Sequence, residues 1–203
     1  PPSLLGPAHF RLLNQGGEVR NAEDWNDPQR EKLWLYHLHY FDDLNAGGAW
    51  ERTAWHRALI SRWIAENPVG AGNGWEPYPL SLRIVNWVKW AWAGNELLVA
   101  AEESLSFQAR FLRRRLEWHI LGNHLLANAK ALLFAGLFFG GAEAEEWLAS
   151  GLSLLWREVR EQILSDGGHF ERSPMYHAQV LEDLLDVVNA LNAFPDAVGG
   201  RSS

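Results

Sequence analysis

The chain has 203 residues, of which 47% are hydrophobic and 21% are charged, a composition typical of a globular protein with one sizeable core. Its net charge of −7 argues against general nucleic-acid binding, so an acidic ligand would need a local basic pocket. The absence of cysteine excludes disulfides and cysteine-based metal sites, and no run is long and apolar enough to span a bilayer.

The tryptophan content is unusually high, with twelve indoles in the chain. So many indoles cannot all be core, and exposed tryptophans often line ligand clefts in which sugar rings stack on them. Trp87, Trp90, Trp118 and Trp156 follow helical spacing, so we expect these four in the core.

Helical periodicity dominates the chain, and no segment predicts a convincing strand. Residues 1–30 are expected to be irregular, with turn signals at Gly16-Gly17 and Asp27-Pro28. The predicted helices that follow are, in chain order, 33–44, 50–66, a helix after Pro79 that carries Ile84 and Trp87, then 103–120, 123–139, 143–164 and 173–191.

Several of these helices are apolar on more than one side, as residues 132–139 show, so neighbours should bury them on both sides. Short loops marked by glycine or proline join them as antiparallel hairpins. We therefore predict an all-α fold, in the form of an incomplete α/α toroid of antiparallel helical hairpins. An up-down bundle is the competing architecture, and the lack of a strict repeat disfavours a regular solenoid.

The segment 167–177 carries the most informative local pattern. Ser173 followed by Pro174 predicts a helix start, with a capping hydroxyl and then a ring already fixed at helical φ. Tyr176 and His177 then fall in the first turn, where the helix dipole favours the anionic form of a phenol. Both side chains are candidates for acid–base chemistry, and ordinary packing residues in a capped helix are the alternative.

Four motifs occur in a fixed order along the chain, namely Leu33–Phe41, Trp75–Trp87, Gly122–Leu125 and Gly167–His177. Together they resemble the heparinase II/III-like polysaccharide lyases, over residues 30–192. The resemblance is to their N-terminal helical domain, an α/α toroid that precedes a large β-sandwich in that family. Nothing after Leu191 could supply this second domain, so we expect residues 31–203 to be part of a toroid without its β-sandwich partner. The chain is then a piece of a longer protein.

The resemblance implies β-elimination on an acidic, uronic acid-containing polysaccharide, with a glycosaminoglycan or a bacterial exopolysaccharide as substrate. Such a catalyst must neutralise the uronate carboxylate, remove the C5 proton and protonate the departing O4. By motif match, Asn123 performs the first task, and Tyr176 performs the last and sometimes also the second. For Asn123, the alternative from the residues alone is an N-cap after Gly122.

Further site residues follow from their position beside these two. His124 is a candidate base or substrate ligand, with a core role as the alternative. His177 is expected to orient Tyr176 or to contact substrate, and Glu171 either contacts substrate or holds its loop in an ion pair with Arg172. The family's other histidine comes from the β-sandwich and has no matching position in this chain.

A second set of candidate substrate residues surrounds the Trp75–Trp87 motif. Trp75 and Tyr78 are expected to stack on sugar rings, because their loop is glycine-rich and is not expected to be core. Arg83 and Asn86 share a helix face, where the guanidinium could bind a uronate or sulfate in two-pronged fashion. A structural salt bridge is the alternative for Arg83.

No cofactor and no metal are predicted, because the chain lacks an HExxH pattern and a phosphate-binding glycine loop. The resemblance implies a periplasmic or exported bacterial protein. Two other functions compete with the lyase. A glycoside hydrolase on the same scaffold would need two carboxylates across a cleft, and a non-catalytic glycan-binding or scaffold protein would need neither.

Overall fold

The computed structural model describes residues 1–118, 120 and 122–199. The chain divides into two compact units, Pro1–Gln108 and Ala109–Ser203. In the described residues, the helices α1 to α8 span, in order, Lys32–Tyr40, Thr53–Glu66, Pro77–Trp92, Val99–Arg113, Asn123–Phe138, Ala142–Gln162, Pro174–Ala193 and Pro195–Gly199. The prediction of a mostly helical, all-α fold is confirmed, and the toroidal arrangement of the helices stays a prediction.

The N-terminal segment contains strands that the sequence did not predict. Strands β1 (Leu4–Gly6), β2 (His9–Leu12) and β3 (Gln15–Glu18) form an antiparallel sheet in the order β1-β2-β3. Leu13 and Asn14 join β2 to β3 with φ of 52° and 61°, which suits a tight hairpin turn with the right-handed strand twist. The expectation of an irregular segment is therefore wrong here, because the strands have only three or four residues, and the alternation of β2 over four positions is too short to stand out in the sequence.

Gly17 explains part of this error. It was interpreted as a turn residue, but it lies within β3, with φ outside the left-handed region. A Cβ atom there would collide with the indole of Trp34, which packs directly on the strand. Glycine is therefore required at this position by a close approach of a neighbouring ring.

Helix boundaries agree well with the predictions except in α4 and at the end of α1, which stops at Tyr40 instead of Leu44 because Phe41 is in the left-handed conformation. Helix α4 begins at Val99, four residues before the predicted start, and ends at Arg113. Arg115 donates its backbone N–H to the carbonyl of Leu112 at 2.8 Å, a three-residue spacing that tightens the last turn. The predicted continuation to Ile120 includes His119, which lies outside the described residues.

Aromatic side chains form the core of the N-terminal unit. Trp63 lies edge-on to Trp87, with ring centroids 5.9 Å apart, and Phe41 packs edge-on against Trp87 at 5.5 Å. Trp87 and Trp90 are buried, as predicted. Such edge-to-face pairs contribute beyond the area that they bury.

A buried carboxylate connects the sheet to the helices of this unit. Asp43 accepts hydrogen bonds from the backbone N–H groups of Ser3 and Leu4 at 2.6 and 2.9 Å. It also accepts one from Arg52 Nε and contacts His56 Nε2, each at 2.8 Å. These partners hold the pKa of Asp43 well below its usual range, despite the opposing effect of burial. The Asp43 carboxylate thus holds the first residues of the chain against Arg52 and His56.

Close helix packing organises the C-terminal unit. Gly136 on α5 faces Leu148 on α6, and Gly151 on α6 faces Leu133 on α5, so the two helices are antiparallel. A Cβ on either glycine would lie within 2.7 Å of the backbone nitrogen of the facing leucine. The backbones of α5 and α6 are therefore in direct contact at these two positions, where only glycine leaves enough room.

Two tryptophans of this unit contradict the core prediction. Trp118 is 53% exposed and Trp156 is 63% exposed. The Arg157 guanidinium covers the ring of Trp118 at 4.6 Å, and Trp156 projects from the part of the α6 surface opposite to buried Leu154 and Leu155. Helical spacing alone could not show which faces of α6 have a neighbour.

No helix in the described part of the chain is long and apolar enough to cross a membrane.

Candidate active site

Helix α5 begins after a glycine N-cap, so the side chain of its first residue does not cap the helix. Gly122 is the N-cap, with φ of 63°, and no side chain caps the helix. Asn123 is the first helical residue and is half-buried. Its amide makes no hydrogen bond to any residue that the structure describes. The N-cap alternative for Asn123 is therefore wrong, because glycine occupies that position.

Helix α7 begins as the sequence predicts. Ser173 is the N-cap, Pro174 is the first helical residue, and the Ser173 hydroxyl accepts the backbone N–H of Tyr176 at 3.5 Å. The ring of Tyr176 is half-buried, and His177 is exposed. Within the described residues, the Tyr176 hydroxyl forms no hydrogen bond. Tyr176 is thus held in place by its backbone and not through its hydroxyl oxygen.

A buried side chain at the end of α6 joins the two motifs. Gln162 donates to the carbonyl of Gly122 at 2.8 Å, and its Oε1 lies 3.2 Å from Nε2 of His169. His169 also pairs with Ile163 in an isolated β-bridge, which turns the chain back beside α6. The loop before α7 is therefore fixed next to the start of α5.

Glu171, in the same loop, lies directly beside the start of α5. Its Oε1 lies 3.0 Å from the position that a Cβ on Gly122 would take. Glu171 and Arg172 are exposed, and neither forms an ion pair with a described residue, so the expected pair between them is wrong. The carboxylate instead lies over the N-cap of α5.

Ion pairs fix the direction of α5 relative to α7. Lys130 Nζ lies 2.8 Å from Asp183 and 2.6 Å from Asp186, and all three side chains are largely buried. Lys130 lies about two turns into α5, and Asp183 lies about two and a half turns into α7. Because Glu171, just before α7, also lies beside Gly122 at the start of α5, these two contact points show that the helices run parallel, with their positive N-terminal ends at the same end of the unit.

A carboxylate orients His124. Glu117 is 5% exposed, and its Oε1 lies 3.1 Å from Nδ1 of His124. Asn128 donates to the other carboxylate oxygen at 3.2 Å and accepts the backbone N–H of Glu117 at 2.9 Å. A carboxylate at Nδ1 favours a proton on that nitrogen. Glu117 thus fixes the orientation of the His124 ring.

The sequence did not identify Glu117 or Gln162, and little in it could have done so. Glu117 precedes His124 by seven residues in a loop, where no periodicity relates them. Gln162 is the last residue of α6, and its partner Gly122 is forty residues away. The packing of α5 on α6 brings Gln162 to Gly122, and the fold of the loop before α5 brings Glu117 to His124.

Two predicted stacking residues of the N-terminal unit are buried. Trp75 is 4% exposed and donates to the carbonyl of Asn67 at 3.4 Å, with its ring edge-on to Phe107. Tyr78 is 9% exposed and packs edge-on against Tyr40. The expectation that their loop is not core is wrong, because the glycine-rich segment folds inward before α3.

Arg83 and Asn86 also have structural partners. Arg83 is fully buried, with its guanidinium 3.7 Å above the ring of Trp63 and its Nε donating to Gln108 at 2.9 Å. Burial lowers its pKa well below the ordinary value. Asn86 donates to the carbonyl of Tyr40 and accepts from Asn45. These side chains, which were expected to bind substrate, instead make contacts within the fold of this unit. The alternative prediction for Arg83, a structural salt bridge, is not observed among its described contacts either.

Relatives named heparin-sulfate lyases match part of the chain. It is 37% identical over 81 residues to a heparin-sulfate lyase of Bacteroides stercoris, a match that covers 36% of this chain and 12% of that protein. It is 35% identical over 83 residues to the heparin-sulfate lyase of Pedobacter heparinus, covering 37% and 13% of the two chains. The matched stretches are thus a small part of these longer relatives.

A solved structure and a family model cover much more of the chain. The crystal structure of heparan sulfate lyase HepC from Pedobacter heparinus superposes with a TM-score of 0.67 at 23% identity. It covers 92% of this chain and 32% of that one, and at this identity it supports a shared fold alone. The family model described as Heparinase II/III N-terminus matches residues 54–196, well over half of the chain. The chain therefore belongs to the heparinase II/III N-terminal domain family.

Proposed function

We propose that this chain is part of a polysaccharide lyase that cleaves a uronic acid-containing glycan by β-elimination. The observation that supports it most is the pair of polar groups at the parallel helix starts. The Asn123 amide and the Tyr176 hydroxyl are both half-buried, and the described residues leave both without a hydrogen bond. Polar side-chain groups that the fold leaves without a partner are available to bind a ligand.

Asn123 provides the electrostatic part of the proposed chemistry. Removing the C5 proton of a uronate adds negative charge beside a carboxylate that is already charged. A side-chain amide can donate to that carboxylate, and its hydrogen bond strengthens as the enediolate forms. The positive N-terminal end of α5 adds to the same stabilisation, since Asn123 is its first residue.

Tyr176 and His124 provide the proton transfers. The Tyr176 hydroxyl is an O–H donor that can act as a general acid and protonate the departing O4. His124, whose ring is oriented by the Glu117 carboxylate, can accept the C5 proton. Glu117 would also stabilise the imidazolium that results.

The substrate and setting follow from the relatives' names and stay proposals. We propose an acidic polysaccharide of the glycosaminoglycan type as substrate, since the matched relatives are named heparin-sulfate lyases. A β-sandwich partner domain and a periplasmic or exported location belong to the same proposal. His177 and Glu171 lie beside the proposed centre and are the remaining candidate substrate contacts.

The test is product formation by the complete gene product, whatever its length. Heparan sulfate, hyaluronan and alginate are supplied in turn, and ultraviolet absorbance of an unsaturated uronate is recorded. We expect absorbance to rise with at least one of them, and Tyr176→Phe to lower the rate by about 10²- to 10⁴-fold. Tyr40→Phe is the matched control, because that phenol is 5% exposed and lies in the N-terminal unit.

Two outcomes would overturn the proposal. Reducing ends without ultraviolet absorbance would indicate a glycoside hydrolase. Binding without cleavage, equal in Tyr176→Phe and in the parent protein, would indicate a glycan-binding scaffold.

A further inference from the structure

A groove in the N-terminal unit carries no residue of the proposed elimination centre. It has a volume of about 700 Å³, within the range of small-ligand sites. The polar and large aromatic residues that line it include Asn45, Trp50, Thr53, Lys89, Trp92 and Asn95. We refer to this site as the Trp50 groove.

The Trp50 groove lies at the C-terminal end of α3. Trp92 is the last residue of this helix, whereas Tyr78 lies in its first turn. A helix of this length spans about 24 Å. The groove is therefore separate from the Trp75–Tyr78 segment that the sequence analysis selected for stacking.

Trp50 is the most exposed of the large apolar side chains in the described chain, at 77%. Its ring makes no aromatic or cation contact with any described residue, and Thr53 fixes its backbone by donating to the Trp50 carbonyl at 3.1 Å. An indole left in solvent beside a groove offers a flat face for the CH groups of a pyranose ring.

Two asparagine side chains in the groove, those of Asn45 and Asn95, form hydrogen bonds to the described residues through their amide nitrogen only. Asn45 Nδ2 donates to the carbonyl and the side-chain oxygen of Asn86, at 3.1 and 3.0 Å. Asn95 Nδ2 donates to the carbonyl of Trp90 at 3.0 Å. Because these partners are oxygens, the amide orientations follow. The Oδ1 atoms of Asn45 and Asn95 accept no hydrogen bond from the described residues.

Amide oxygens select the chemistry of the ligand. An oxygen acceptor pairs with a hydroxyl or N–H donor, whereas a carboxylate or sulfate group offers only acceptors. Since both amides are already held in place, binding would lose little side-chain entropy. An exposed indole with two preset acceptors is a suitable combination for a sugar that retains its hydroxyls.

We infer that the Trp50 groove is an accessory carbohydrate site that binds a hydroxyl-bearing pyranose residue of an unsulfated polysaccharide segment. It goes beyond the proposed elimination and does not depend on it. Trp50 stacks on the sugar face, and the Oδ1 atoms of Asn45 and Asn95 accept its hydroxyl protons.

Binding to heparosan, an unsulfated polymer of glucuronate and N-acetylglucosamine, tests this inference. Affinity electrophoresis of the intact chain is run in the Tyr176→Phe background, so cleavage cannot remove the ligand. We expect Trp50→Ala to weaken binding about fivefold or more, and Asn95→Ala about threefold. Trp156→Ala is the matched control, because that indole is 63% exposed on α6 and outside the groove.

The result separates this inference from the lyase proposal. Loss of binding in Trp50→Ala with retention in Trp156→Ala supports the groove, whether or not the parent protein cleaves any glycan. Equal binding by Trp50→Ala and its parent would overturn the inference, as would equal losses in both tryptophan variants. A parent chain that is not retarded by heparosan would overturn it as well.

Discussion

The two units of this chain both bury charged and polar groups, but they differ in their closest contacts. The N-terminal unit buries these groups, among them Asp43, His56 and Arg83, together with many indoles. In the C-terminal unit, two helices also touch at backbone distance through Gly136 and Gly151. Buried polar contacts fail when one partner is lost, whereas close packing fails when volume is added.

The two units also differ in the contacts that their motif residues make. In the N-terminal unit, the motif residues Arg83 and Asn86 donate hydrogen bonds to other groups of the fold, although Nη2 of Arg83 is buried without a partner among the described residues. In the C-terminal unit, Asn123 and Tyr176 are held by backbone, and their polar side-chain atoms make no hydrogen bond to the described residues. A motif shared by a family thus contains supporting residues as well as candidates for catalysis.

Asp43→Asn should cause the largest loss of stability. The substitution leaves Arg52 and His56 without their buried acceptor, and the cost of breaking such a pair is about 3–5 kcal/mol. Urea unfolding followed by circular dichroism measures it. Glu146→Gln is the matched control, since the Arg113–Glu146 pair is exposed and should contribute little. Similar midpoints for the two variants would show that the N-terminal unit does not depend on its buried charge.

Acid should destabilise the N-terminal unit through His39. This ring is fully buried, accepts the Trp63 indole N–H at Nδ1 and faces the Trp25 carbonyl at Nε2. Burial, and then the charge of Arg83, lower its pKa from 6.5 to about 3. The folded state therefore favours the neutral ring. Its stability contribution is complete above pH 6.5 and falls as the unfolded chain takes up the proton below it.

The expected slope is about 1.4 kcal/mol for each pH unit between 6.5 and 4.5. Unfolding free energies from urea titrations across this range measure it. In His39→Gln the slope should shrink to the smaller contribution of His37, whose pKa is also lowered by burial. An unchanged slope in His39→Gln would assign the acid sensitivity to another group.

Gly151→Ala tests the contact on which the C-terminal unit depends. The new methyl would lie 2.7 Å from the backbone nitrogen of Leu133 and 2.8 Å from the carbonyl of Ala129. Backbone atoms cannot rotate away, so we expect a loss of about 1–3 kcal/mol in unfolding free energy. Gly140→Ala is the control, because a Cβ there meets nothing within 4 Å. Equal stability of the two variants would contradict the close approach.

The sequence predicted much of the fold and only part of the site. The α7 start at Ser173-Pro174 was predictable because capping chemistry is local. The burial of Trp75 was not, since it depends on rings contributed by Trp63 and Phe107 from distant positions. Likewise, the pairing of Glu117 with His124 depends on how a loop packs, and no local pattern encodes it.

Ser173→Ala should have the smallest effect on stability and the most local one. Loss of the hydroxyl that accepts the Tyr176 N–H costs about 1 kcal/mol. Because the cap fixes the first turn of α7, amide hydrogen exchange should accelerate at Tyr176 and His177 and remain unchanged at Val187, which is buried in the middle of the helix. Ser173→Asp should restore protection, since aspartate is an equally good N-cap and its charge suits the helix dipole. Exchange that accelerates along the whole helix would mean that α7 is held by its cap alone, and not by the buried Lys130 pairs with Asp183 and Asp186.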